Sequence, residues 1–117
     1  MLEIKKEYKS GCIVYDFIGS IDNSDLEKVE TVLREDINHT YTFIFSFKHL
    51  NHINGNAVKM LKKVYVMSVD LACEIVITGL HTQPAMMLEI FQVDKLYKAY
   101  EPVNMYGKEE SESLYRA

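Results

Sequence analysis

The chain has 117 residues, 48% of them apolar and 26% charged, with a formal net charge of −4. This is the composition of one globular domain, large enough to fold around an apolar core without a metal or a disulfide. The acidic balance argues against nonspecific nucleic-acid binding, which needs a basic surface to neutralise phosphates, and against an anionic membrane surface.

The N-terminal "MLEIKKEYKS" lacks the apolar stretch of a signal peptide. No run approaches the ~18 apolar residues that span a bilayer. The chain therefore reads as cytoplasmic. Cys12 and Cys73, each inside an apolar run, read as reduced core thiols.

Leu2–Tyr8 and Cys12–Ile18 are short apolar runs separated by Lys9-Ser10-Gly11, and Gly11 suits a hairpin. "NSDLEKVETVLREDIN" then places Leu26, Val29, Val32, Leu33 and Ile37 on one helical face, with Asn23 or Ser24 as cap. The helix is expected over about 24 to 38.

"YTFIFSF" alternates strictly, with Tyr41, Phe43, Phe45 and Phe47 against Thr42, Ile44 and Ser46. "CEIVITG" repeats the alternation, with one face heavier than the other. A strand buried on both faces reads instead as a continuous aliphatic run. Helices are therefore expected mainly on one side of the sheet.

Between these strands, a helix over about 55 to 69 buries Ala57, Val58, Met60, Leu61, Val64, Tyr65 and Ser68 and exposes Lys59, Lys62 and Lys63. "HTQPAMMLEIFQVDKL" reads as a third helix, with Thr82 as its cap, Pro84 in its first turn, and more apolar surface than one core face needs. A short strand at about 97–100 follows. Residues 101–117 read as a polar tail with a short terminal helix.

The expected fold is a single α/β domain with its core over about residues 2–100. A β1–β2 hairpin leads into β-α-β-α-β-α-β and a mixed sheet of four to five strands. Right-handed crossovers added on the same side put the helices on one face.

Three loops, "GSIDNSD", "KHLNHING" and "GLHTQP", follow carboxyl ends of strands, where α/β proteins bind ligands. The helix beginning at Gly55 offers free backbone N–H groups. No GxGxxG or GxxxxGK[ST] accompanies it, and a lone glycine also serves simply for tight entry into a helix. His49, His52 and His81 could meet around zinc, but Asp22 is the one acid beside them. No acid–His–Ser spacing and no paired acids stand out, so a non-enzymatic protein without metal or cofactor is expected.

"IVYDFIGSID", "FIFSFKHLNHINGNAVKML" and "CEIVITGL…MLEIFQVDKLYKAY" together resemble the STAS domain family of sulfate transporters and anti-sigma factor antagonists, from about Ile4 to Tyr100. Gly19, Ile21 and Asp22 fit the end of the family's second strand. Leu88, Phe91, Leu96 and Tyr97 fit its last helix and strand.

Many members carry an Asp in the third strand and then Asp-Ser-Ser/Thr-Gly, with one hydroxyl phosphorylated by a partner kinase. Here Ser46 stands at the strand Asp, Asn54 at the loop Asp and Gly55 at the phosphorylated Ser, followed by Asn56 and Ala57. The resemblance therefore implies a partner-binding module that cannot be phosphorylated at the usual position.

It also implies an interface at Asp22, Asn23, His52, Asn54, Gly55, Asn56 and Lys59 for a kinase-fold anti-sigma factor or related signalling protein. The alternatives are an accessory subunit of a membrane transport ATPase and a small-molecule or nucleotide sensor. A second copy of the chain is a further candidate partner.

Overall fold

Five aromatic rings on one sheet face organise this domain. Tyr15 and Phe17 alternate along one strand and Phe43, Phe45 and Phe47 along the next. Edge-to-face pairs form at 5.8 Å for Tyr15–Phe45, 5.5 Å for Phe17–Phe45 and 5.6 Å for Phe17–Phe47. All five side chains are fully buried. A computed structural model describes residues 1–9, 11–36, 42–93, 96 and 98–100.

Strands β1 (Leu2–Lys9) and β2 (Cys12–Ile21) pair antiparallel, turning at Gly11 with φ 84°. A 3-10 turn (Asn23–Asp25) leads into α1 (Leu26–Asp36). The order continues with β3 (Thr42–Ser46), β4 (Leu50–Ile53), α2 (Gly55–Asp70), β5 (Glu74–Thr78), α3 (Thr82–Ile90) and β6 (Lys98–Tyr100).

The sheet runs β1-β2-β3-β5-β6, parallel from β2 onward, with β4 also on β2. Buried residues of all three helices join the aromatic face in one core, including Val29 and Leu33 of α1, Val58 and Leu61 of α2 and Leu88 of α3. The other face carries a smaller cluster of Cys12, Ile44 and Val76. The expected one-sided α/β domain is thus the observed one.

Several details differ from the sequence reading. The segment read as a loop after Phe47 contains β4, which pairs in parallel with Gly19–Ile21 across an irregularity in β2. Leu50 and Ile53 are buried while Asn51 and His52 are exposed, a pattern too short for alternation to reveal.

The first cap is Asp22, ahead of Asn23 and Ser24. It keeps the extended backbone of the strand it ends, and its N–H donates to Asp25 Oδ2 at 3.0 Å. The third helix is capped by His81 and ends at Ile90. Thr82 is already helical by hydrogen bonding but has φ 45°.

Both later helices stop on a left-handed residue that is not glycine. These are Ala72 and Gln92, each with φ 59°. Cys73 N donates to Ser68 O at 2.8 Å, and Val93 N to Leu88 O at 2.9 Å, so each end closes back on its last turn. With no glycine to mark this end, the apolar pattern alone extends α3 toward Leu96, beyond its observed end at Ile90. Ser10, Ile37, Tyr41, Tyr97 and residues 101–117, named above on the sequence, lie outside the described residues.

Candidate functional site

Three chain segments meet where β2 and β4 end side by side. Asn54 N donates to Ile21 O at 3.1 Å, so the start of α2 is stitched to the end of β2. The 3-10 turn after β2 therefore lies against the first turn of α2.

Asn54 caps α2: its Oδ1 accepts from Ala57 N at 2.8 Å, satisfying one of the donors a helix start leaves unpaired. Its Nδ2 donates to Asn23 Oδ1 at 3.0 Å, and Asn56 Nδ2 donates to the same oxygen at 3.0 Å. The carbonyl oxygen of Asn23 thus ties two amides of α2 to the β2–α1 turn. Ser24 donates its hydroxyl to Asp22 Oδ1 at 2.8 Å. That bond, and then the link to Asp25, hold the Asp22 carboxyl below the usual carboxylate range.

Of the sequence-derived residues, Asp22, Asn23, Asn54, Gly55 and Asn56 are brought together here. Asn23 and Asn56 are exposed, and Asp22, Asn54 and Gly55 are half-buried. Lys59 is exposed one turn further along α2. His52 is exposed on β4, opposite Ser20 of β2. The other two imidazoles are engaged elsewhere. His49 Nδ1 lies 3.5 Å from Asp16 Oδ2, while His81 Nε2 donates to Lys48 O at 2.9 Å. Lys48 O can only accept, so Nε2 carries the hydrogen and Nδ1 meets the Thr82 hydroxyl at 2.9 Å.

Two residues outside the expected interface shape the site: Phe91, which the resemblance places only in the last helix, and Gln83. A Cβ added at Gly55 would stand 3.1 Å from Phe91 Cζ. The ring at the end of α3 thus occupies the space a side chain at 55 would enter. Gln83 holds β4 by its backbone: Ile53 N donates to Gln83 Oε1 at 2.9 Å, and Gln83 Nε2 donates to Ile53 O at 3.0 Å. One primary amide pairs as a neighbouring strand would. No periodicity marks such a residue, because its partner is 30 positions away.

Gln83→Ala leaves both Ile53 groups without these partners and is expected to cost about 1–2 kcal/mol. The urea midpoint should fall while the slope stays constant. An unchanged midpoint would show that water replaces the amide without loss.

The family model described as STAS domain matches residues 3–107. Among solved structures, the chain is similar to the anti-sigma factor antagonist SpoIIAA in its unphosphorylated form. The TM-score is 0.73 and the identity 14%, covering 97% of this chain and 96% of that one. It is similar to an anti-sigma factor antagonist from Mycobacterium paratuberculosis with TM-score 0.77 and 13% identity, covering 86% of each chain. It also resembles a sulfate transporter family protein from Wolinella succinogenes, with TM-score 0.71 and 14% identity, covering 85% of this chain and 84% of that one. No curated relative matches the chain by sequence.

Proposed function

The chain belongs to the STAS domain family, and from that premise we propose that it is a non-enzymatic regulatory module that binds a protein partner as anti-sigma factor antagonists do. The partner proposed is a kinase-fold anti-sigma factor or a related signalling protein, met in the cytoplasm. The binding surface is the asparagine-tied end of the sheet, with Asp22, Asn23, His52, Asn54, Gly55, Asn56 and Lys59 as contacts.

The observation that carries this reading is the position of the Asn23–Asn54–Asn56 cluster. It sits at the N-terminus of α2, where the family resemblance puts the phosphorylated hydroxyl. Gly55 offers no hydroxyl there, and Asn56 offers only an amide. A phosphate would add about −1.5 to −2 charge. Without one, no kinase charges the loop at this position, and its shape is held by amide hydrogen bonds. The proposed mode is therefore constitutive binding, limited by partner supply.

The test separates charge from bulk. Gly55→Ala introduces a Cβ against the movable Phe91 ring, and Gly55→Asp adds charge as well. Gly55→Asp is expected to weaken partner binding about tenfold or more, with Gly55→Ala within about threefold of the parent, by calorimetry on the captured partner. Equal affinities for all three proteins would remove this loop from the interface.

The likeness to a sulfate transporter family protein supports a second reading, an accessory subunit of a membrane transport system. Affinity purification from the native cells separates the two. A kinase-fold regulator supports the first reading, and a transporter ATPase supports the second.

A further inference from the structure

Asn54 is followed by Gly55, the only Asn–Gly pair in the sequence. The other asparagines precede Ser24, His39, His52, Ala57 and Met105. The peptide nitrogen after an asparagine can attack the side-chain carbonyl carbon, and a following glycine, lacking Cβ, obstructs that approach least. Here the nitrogen belongs to the first turn of α2, where N–H groups have no carbonyl of their own helix to meet.

We infer that Asn54 is a self-modifying site: it converts to aspartate or isoaspartate, charging the loop, at a rate set by local opening of its hydrogen bonds to Asn23 and Ala57. The Gly55 nitrogen, having lost its proton to hydroxide, bonds to Asn54 Cγ. The bond from Cγ to the side-chain nitrogen breaks, and that nitrogen, taking one proton from water, leaves as ammonia. A five-membered cyclic imide remains. Water then adds to one of its two carbonyls and opens the ring, giving aspartate or isoaspartate. The net change is one water in and one ammonia out, with no oxidant or reductant.

The folded geometry supplies the gate. Asn54 Oδ1 is held by Ala57 N at 2.8 Å and Nδ2 by Asn23 Oδ1 at 3.0 Å. Ring closure needs the side chain to swing from that cap onto its own following amide, so both bonds must open first. Asn54 is half-buried and Asn23 exposed, so this opening leaves the core intact.

The product does not restore the original arrangement. An aspartate caps a helix as well as an asparagine and suits the positive end of the dipole. It has no N–H for Asn23 Oδ1, however, so the exposed Asn23 amide must turn to donate to it and then no longer accepts from Asn56. An isoaspartate adds a backbone atom at the cap itself. Either way the loop gains a negative charge without a kinase. The consequence for partner choice rests on the proposed interface; the chemistry does not.

The test ages the full chain, without any partner, in mildly alkaline buffer and maps each asparagine by mass spectrometry. A wrong interface leaves this readout untouched. Asn54 is expected to convert several-fold faster than Asn51 or Asn56. Asn23→Ala should raise the Asn54 rate several-fold, and Gly55→Ala should suppress it. Asp36→Ala, a remote change that lowers global stability, should leave the rate unchanged if opening is local. Conversion no faster than at Asn51 and Asn56 would overturn the inference. So would a rate indifferent to Asn23→Ala, or one raised as much by Asp36→Ala.

Discussion

Asp36→Ala is expected to destabilise the domain by about 3 kcal/mol, lowering the melting temperature by roughly 10 °C or more. Asp36 lies in the last turn of α1 and is buried, with 7% of its surface exposed. Its carboxylate accepts a short hydrogen bond from the Tyr15 hydroxyl and an ion pair from Lys6 Nζ at 3.0 Å. Tyr15 is entirely enclosed by the aromatic face, so its hydroxyl cannot turn to water when the carboxylate is removed. Leaving a buried donor unpaired costs more than the net value of the bond it once made. Tyr15→Phe removes that donor together with the bond and should cost only about 1 kcal/mol. Equal losses for the two variants would mean that neither the stranded hydroxyl nor the lost ion pair to Lys6 adds to the cost of the shared hydrogen bond.

The same cluster sets an alkaline limit. Hydrogen bonding to Asp36 raises the Lys6 amine above its ordinary 10.5. Burial, and then the bond to Asp36, push the Tyr15 phenol far above its ordinary 10.0. Both groups hold their protons more tightly folded than unfolded. Their stabilisation is complete below the unfolded values and is lost as pH rises past them. Stability measured by urea titration should therefore be level from neutral pH to about 10 and fall beyond it. Asp36→Ala should flatten that fall in part, since burial of Tyr15 remains.

Gly79→Ala is expected to cost about 2–3 kcal/mol. Gly79 is buried with φ 71°, a conformation that disfavours any side chain. A Cβ there would lie 2.8 Å from Lys48 N and 3.0 Å from Lys48 Cα. That backbone has little room to retreat, because Phe47 N donates to Thr78 O at 2.9 Å and His81 Nε2 holds Lys48 O. The β5–α3 connection thus seats the β3–β4 turn, and the displacement should pass into β4 and the loop beyond it. Gly11→Ala is the control, since its φ is 84° but nothing stands within 4 Å of the added carbon. It carries the conformational cost alone, about 1 kcal/mol. If both variants lose the same stability in urea, the close approach to Lys48 contributes nothing.

Much of the site was legible in the sequence because it is built from neighbours in the chain. "NGNA" announced a helix start, and the turn after "GSID" announced a second segment at the same end of the sheet. What the letters did not reveal was that Asn23 binds Asn54 and Asn56. Those pairs are 31 and 33 positions apart, and an exposed asparagine carries no periodic mark. Asp36 was similarly hidden: on a helical wheel it looks like the polar end of an amphipathic helix. Tyr15 makes it a buried acceptor from 21 residues away.

Residue order alone specifies every described strand but β4, the three helices, the one-sided core and the absence of a hydroxyl at Gly55. Periods of two and 3.6 follow from backbone geometry, and a residue's chemistry is local to it. Folding in three dimensions is what creates β4, lets Gln83 complete its edge, sets Phe91 in the space above Gly55 and buries Asp36. Each of these depends on a contact between distant segments, whose geometry is fixed only once the sheet has brought them to the same place.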